Sequence, residues 1–323
     1  MKLYKTSTLL FLLMILWGCQ QEISVKKNSF TAINPVSYTD VIYKTNRDTV
    51  FVSTFDGKIY EVIKRNTKKQ QTASVNDEIY AIAYNAEKAN LYAATLNSGI
   101  VVINTKDGSI IKRLPLKETW AIKLFFNPVN GILATYDFKG NHYVWNTNED
   151  FKSIKTPDIL KQIYPKYIKD NGDIYFEGRG KVLVWNYKTN CIKKKSKISG
   201  QLIDVDRNEN YLLLSGKQFS FYNPKADSTV FTKKHPNWPI YLANKDSILN
   251  VPLNLEITLG LMTTTAIYTS GLDKSLRKWD KSNGELLETY SHYRNTPSAM
   301  AIAEDESQLV VVNLGGQVKF QEL

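Results

Sequence analysis

The sequence predicts an all-β fold, a seven-bladed β-propeller of four-stranded antiparallel blades, and three observations carry that prediction. A strand–turn–strand unit recurs along the chain at a spacing of about 40–45 residues, the size of one blade. Nineteen Tyr, thirteen Phe and many short Val/Ile/Leu/Thr runs favour strands. Helical patterning is nearly absent beyond the first 17 residues. The 43% hydrophobic content is ample for a large core, and the 23% charged content is that of a folded chain.

The repeat unit is a strand, a tight turn containing Gly or Asp, and a second strand ending in a polar residue. It appears as VFVSTFDGKIYEV (50–62), LYAATLNSGIVVIN (91–104), ILATYDFKGNHYVWN (132–146) and IYFEGRGKVLVWN (174–186). It continues as LLLSGKQFSFYN (212–223), IYTSGLDKSLRKWD (267–280) and LVVVNLGGQVKFQE (309–322). With Val62, Asn104, Asn146, Asn186, Asn223, Asp280 and Glu322 as equivalent positions, the steps are 42, 42, 40, 37, 57 and 42 residues. Each unit is the b–c hairpin of a blade whose strands run a-b-c-d outward from a central channel, with turns at Asp56-Gly57, Ser98-Gly99 and Lys139-Gly140. Strand a precedes it, as in YAIAY (80–84), and strand d follows, as in SIIKRL (109–114).

The last unit stops at the end of strand c, whereas an unassigned strand, SFTAI (29–33), stands at the other end. The expected ring is therefore closed by the N-terminal strand pairing with the last blade, which removes an open edge.

The first residues are set aside from the fold as a targeting segment. Lys2 and Lys5 precede an uncharged apolar run, LLFLLMILW (9–17), too short to span a bilayer, which takes roughly 20 residues. The run ends in Leu16-Trp17-Gly18-Cys19, which resembles the lipobox of bacterial lipoproteins, although Trp17 departs from the small residue usual there. The resemblance implies a signal peptide over 1–18, a lipid (palmitate among its acyl chains) on Cys19, and a polar tether over 19–28. The propeller then occupies 29–323. Cys191 is the one other cysteine, so no disulfide is expected; with no His or Asp beside it in sequence, a structural thiol is the expectation.

Unit six carries a family resemblance. GLDKSLRKWDKSNGELLETYSH (271–292), with Trp279-Asp280, resembles the WD-repeat consensus, and Trp145-Asn146 and Trp185-Asn186 resemble degenerate forms of the dipeptide. The resemblance implies a hydrogen-bonded structural set of a strand-c Trp, a strand-b Ser or Thr, a turn Asp and a His before strand a. In unit six those positions are Trp279, Thr269 or Ser270, Asp273 and His235. The resemblance spans nearly the whole mature chain in period but is specific in this one unit.

Chemistry-bearing motifs are sparse. His142, His235 and His292 lie far apart, with no metal-ligand spacing among them; His142 follows a b–c turn and reads as a turn or surface residue. No nucleophile elbow, phosphate-binding loop or Cys-x-x-Cys occurs. No catalytic residue, metal or cofactor is assigned, and the chain is expected not to be an enzyme. The net charge of +11, or +9 without Lys2 and Lys5, resides in outer-strand lysines such as Lys193 to Lys195. Those protect strand edges, so nucleic acid is not an expected partner.

The 57-residue step marks an insertion between Ile240 and Ala266. Its alternation from Val251 to Leu259 has period two, which predicts an extra strand or hairpin, packed as core or presented to a partner. Trp120 and Trp238 fall just before expected a strands and are the candidate binding-face aromatics. The expectation for function is a monomeric, non-catalytic protein-interaction scaffold, lipid-anchored in the bacterial cell envelope with an envelope protein as partner. The alternatives are a propeller that binds envelope glycan or a small ligand, or a propeller hydrolase or lactonase. Aromatic side chains clustered on one face with few charges would favour glycan, and carboxylates converging on the channel would favour a metal hydrolase.

Overall fold

Short strands separated by Gly- and Asp-rich turns can satisfy their backbone groups only by pairing with chain neighbours, and here they do so as successive antiparallel meanders. The computed structural model describes residues 37–323 apart from 46, 66–67, 119, 242–247, 252 and 291–292, with the backbone alone at 238–241 and 248–251. The signal peptide, Cys19, the tether and the closing strand at 29–33 lie outside the described residues, as does His292.

Blade one is β1 (Tyr38–Tyr43), β2 (Thr49–Thr54), β3 (Lys58–Ile63) and β4 (Lys69–Ser74). Blade two is β5 (Ile79–Asn85), β6 (Asn90–Thr95), β7 (Ile100–Asn104) and β8 (Ile110–Leu114). Blade three is β9 (Ala121–Asn127), β10 (Ile132–Asp137), β11 (His142–Asn146) and the two-residue β12 (Lys152–Ser153). Blade four is β13 (Tyr164–Ile168), β14 (Asp173–Gly178), β15 (Lys181–Asn186) and β16 (Cys191–Lys197). Blade five is β17 (Gln201–Val205), β18 (Tyr211–Ser215), β19 (Gln218–Asn223) and β20 (Ser228–Lys234).

A separate two-stranded hairpin follows, β21 (Trp238–Tyr241) with β22 (Ile248–Val251). Blade six is β23 (Ile257–Met262), β24 (Ala266–Gly271), β25 (Leu276–Asp280) and β26 (Leu286–Tyr290). Blade seven shows three strands among the described residues: β27 (Pro297–Ile302), β28 (Gln308–Asn313) and β29 (Val318–Glu322).

The insertion thus ends earlier than its sequence pattern suggests. Ile257 and Leu259 belong to the inner strand of blade six, and the extra hairpin occupies 238–251. Both segments alternate apolar residues, so period-two patterning cannot separate them. Trp238 consequently opens the extra hairpin and does not precede a strand a.

A blade buries both faces, so among the described residues the core is divided into seven apolar layers, each shared by neighbouring blades. Phe51, Ile59, Ile82 and Leu91 join blades one and two. The layer of Val41, Val50, Val52, Val310 and Val312 joins blade seven to blade one and so makes the ring continuous. Strand b is the most deeply enclosed element; all six residues of β2, β10, β24 and β28 are buried. Outer strands are the opposite: β16 and β20 are mostly exposed and lysine-rich, as edges require. Most inner strands carry a register irregularity, as at Tyr38/Asp40 and Leu202/Asp204 in blades one and five. Such bulges increase twist where strands crowd the channel.

Candidate functional site

The residue directly after strand b stands in the b–c turn. In blades six, seven, one, two and three it is Leu272, Leu314, Phe55, Leu96 and Phe138, an apolar arc around the channel mouth. In blades four and five the turn has only two residues, Arg179-Gly180 and Gly216-Lys217, and supplies a cation. The arc is fixed by backbone. The N–H groups of Phe55, Leu96, Leu272 and Leu314 donate to the carbonyls of Ser37, Glu78, Glu256 and Thr296, which precede strand a of the same blade.

On this arc the aromatics of blades one to three are continuous. The rings of Phe55 and Tyr80 meet edge-on at 5.8 Å, Tyr80 and Trp120 lie 5.4 Å apart, and Trp120 stacks on Phe138 at 6.5 Å. Phe55, Trp120 and Phe138 leave 44%, 36% and 48% of their surface open to solvent. Three large aromatics held in contact yet uncovered are unusual for a surface and mark an interaction site. Trp120 has a positive φ of 68°, a costly conformation for a bulky side chain. Its N–H donates to the Leu96 carbonyl at 2.5 Å, so the preceding blade holds it there. Charges ring the cluster: Lys139 pairs with Glu118 at 3.0 Å, and Asp77 accepts from the N–H groups of Asn97 and Ser98 in the blade-two turn.

The blade-six residues lie beneath the same end. Trp279 Nε1 donates to Thr269 Oγ1 at 2.8 Å, and His235 Nε2 is 2.8 Å from the same oxygen. Thr269 is therefore the strand-b hydroxyl of the set, while Ser270 donates to the Ser275 carbonyl and closes the turn. Arg277, which the sequence does not single out, enters the set buried. Its Nη1 is 2.6 Å from His235 Nδ1 and 2.5 Å from Asp273 Oδ2, whereas His235 Nδ1 and that carboxylate oxygen are 3.3 Å apart. A guanidinium nitrogen can only donate, so the network assigns the imidazole proton to Nε2. Burial holds His235 below its ordinary pKa, and the Arg277 charge adds to this against the pull of Asp273. Burial works against the Asp273 carboxylate, but the Arg277 guanidinium bonded to it outweighs this and keeps its pKa far below the usual range. This is a structural lock, with no open position at its centre.

Two other residues are placed differently from expectation. His142 is half-buried between blades three and four, with Nε2 2.7 Å from Thr156 Oγ1 and its ring edge-on to Phe176 at 5.1 Å. Strand c begins directly after the turn, which draws it off the surface. Cys191 is exposed at the start of β16, with its thiol donating to the Thr189 carbonyl. Trp145 and Trp185 occupy the strand-c position of Trp279 as buried core, and Trp185 donates to Asn190 instead of to a Thr. Among the described residues, no three His, Cys, Asp or Glu side chains are grouped to hold a metal ion, and no helix is long and apolar enough to cross a membrane.

The fold defines the class: a seven-bladed β-propeller. The crystal structure of the WD40 β-propeller domain of Doa1 is similar, with a TM-score of 0.68 over 88% of this chain and 92% of that one. At 12% sequence identity that likeness shows the fold alone. Comparison of the sequence with protein-family models and with curated proteins finds no match.

Proposed function

We propose that the protein is a non-catalytic interaction scaffold, lipid-anchored through Cys19 in the bacterial cell envelope, that binds a partner protein on its b–c turn face. The observation that carries this reading is the aromatic row Phe55–Tyr80–Trp120–Phe138, exposed at Phe55, Trp120 and Phe138 and held at Phe55 and Trp120 by backbone hydrogen bonds. Rigid aromatics give large contact area at low entropic cost, and those near the centre of a face supply most binding energy. The Leu16-Trp17-Gly18-Cys19 segment supports the anchor, and the propeller fold suits a scaffold, though fold alone does not fix function.

A second reading has one observation in its favour: the stacked Trp120–Phe138 pair could also receive the apolar face of a sugar. The charged groups around it, Lys139, Glu118 and Asp77, favour protein.

The test is affinity capture from cross-linked membranes with the native chain, Cys19→Ser, and the double variant Trp120→Ser/Phe138→Ser. A stoichiometric protein retained by the native chain and lost with the double variant supports the scaffold. Recovery that is indifferent to those two residues, or recovery of polysaccharide alone, contradicts it.

A further inference from the structure

Beside the aromatic row, between blades three and four, a cleft of about 650 Å³ opens on the same face. Its walls are the blade-three turn at Lys139, the segment leading into blade four at Lys161 and Gln162, and the blade-four turn at Arg179. Three cations line it, Lys139, Lys161 and Arg179. Lys139 pairs with Glu118 from outside the cleft at 3.0 Å, and Lys161 pairs with Asp158 on its wall at 3.0 Å while the side chains of Lys161 and Asp158 stay largely exposed. Exposed pairs of this kind are worth about 0–1 kcal/mol, so another carboxylate can take the place of Asp158 at little cost. Arg179 donates to the Gln162 amide oxygen, and both residues have positive φ, 54° and 60°. The other lining residues are uncharged, and His142 among them is engaged with Thr156.

The cleft and the aromatic row are joined, because Lys139 sits 5.7 Å over the ring of Phe138. Lys217 of the blade-five turn extends the cationic side around the mouth. The residue after strand b is therefore apolar in blades six, seven, one, two and three, while the turns of blades four and five carry Arg179 and Lys217 and that of blade three adds Lys139.

We infer that this cleft receives the carboxylate side chains of an extended acidic partner segment whose apolar residues lie on Trp120 and Phe138. The inference rests on the b–c face being the binding face, and it adds the chemistry of the partner. Charge complementarity is its basis, and its main effects are on specificity and rate of association.

The experiment is fluorescence anisotropy on the full chain carrying Cys19→Ser. The probes are labelled synthetic peptides that join two Trp residues to a run of Glu, of Lys or of Ser, and a labelled sulfated oligosaccharide. The Glu peptide is expected to bind about tenfold tighter than the Ser peptide, equivalent to about 1.4 kcal/mol, with the Lys peptide weakest. Added salt should narrow that gap. Lys161→Glu with Arg179→Glu should erase the preference and leave the Ser peptide's affinity unchanged, in a variant whose thermal melt matches the parent. If the preference for Glu is absent, or survives that charge reversal, while Trp120→Ser still weakens all peptides, the cleft inference fails and the scaffold reading stands. If no peptide binds, or Trp120→Ser changes nothing, the scaffold reading itself fails. Binding of the oligosaccharide in place of peptides overturns both in favour of glycan.

Discussion

The backbone N–H of Trp120 donates to the carbonyl of Leu96 at 2.5 Å, and this one bond ties the aromatic of blade three to the turn of blade two. It holds Trp120 in a left-handed conformation that a bulky residue avoids, with its ring between Tyr80 and Phe138. Strain accepted at an exposed position is explained by what the side chain does there, and a substitution can separate the two.

Trp120→Gly removes the backbone penalty and the ring together. Relief of about 1–2 kcal/mol offsets the lost ring contacts of similar size. Urea denaturation should find the variant within about 1 kcal/mol of the native chain, while partner capture is lost. A loss above ~3 kcal/mol would instead make Trp120 a packing residue.

Thr269→Val keeps shape but strands two buried groups, Trp279 Nε1 and His235 Nε2. The expected cost is about 2–4 kcal/mol, whereas Thr269→Ser should stay within about 1 kcal/mol. Denaturant midpoints of the two variants check this. Equal effects would show that the shared hydroxyl is not what holds the lock.

Asp204 lies on the inner strand of blade five, where burial pushes its carboxyl up to about 6, in spite of hydrogen bonds from the N–H groups of Met262 and Val205. Its folded pKa exceeds its unfolded one, so the folded state binds the extra proton between those values. That contribution to stability is complete below the unfolded pKa, about 4, and is lost as pH rises through 6. Asp204→Asn removes it. The stability difference between native chain and variant should therefore shift by on the order of 2 kcal/mol in the variant's favour from pH 4 to pH 7. A difference independent of pH would show that Asp204 titrates normally.

Gly57 has φ of 82°, and a Cβ there would stand 2.1 Å from the Val75 carbonyl oxygen. Gly57→Ala should lower stability by about 2–4 kcal/mol and widen the solvent exchange of the Phe55 amide, because the turn that positions Phe55 must move. Hydrogen exchange at Phe55 reads this directly.

The ring was legible in the sequence because its period is set by blade size, and a strand–turn–strand unit must recur wherever a blade does. The lock was legible in part. Trp279 and His235 are rare residue types whose spacing shows, but Arg277, among Ser275, Lys278 and Lys281, looks like ordinary solvated charge. Only the fold reveals that its strand-c position points inward. The apolar arc was hidden for another reason: one Phe or Leu in a turn has no meaning until neighbouring blades bring Leu272, Leu314, Phe55, Leu96 and Phe138 to one rim. Trp120 could be found from its place before strand a. Trp238 shares that look, but it opens the extra hairpin, which repeats the same alternation.

The most direct measurement places a photo-reactive phenylalanine analogue at Phe138, and in a control at exposed Lys195 on the outer strand of blade four, in the full chain with membranes present. A discrete, protease-sensitive adduct from position 138 that is absent from position 195 is the predicted result. Equal labelling at both positions, or a protease-resistant polysaccharide adduct at 138, would contradict a protein-binding b–c face.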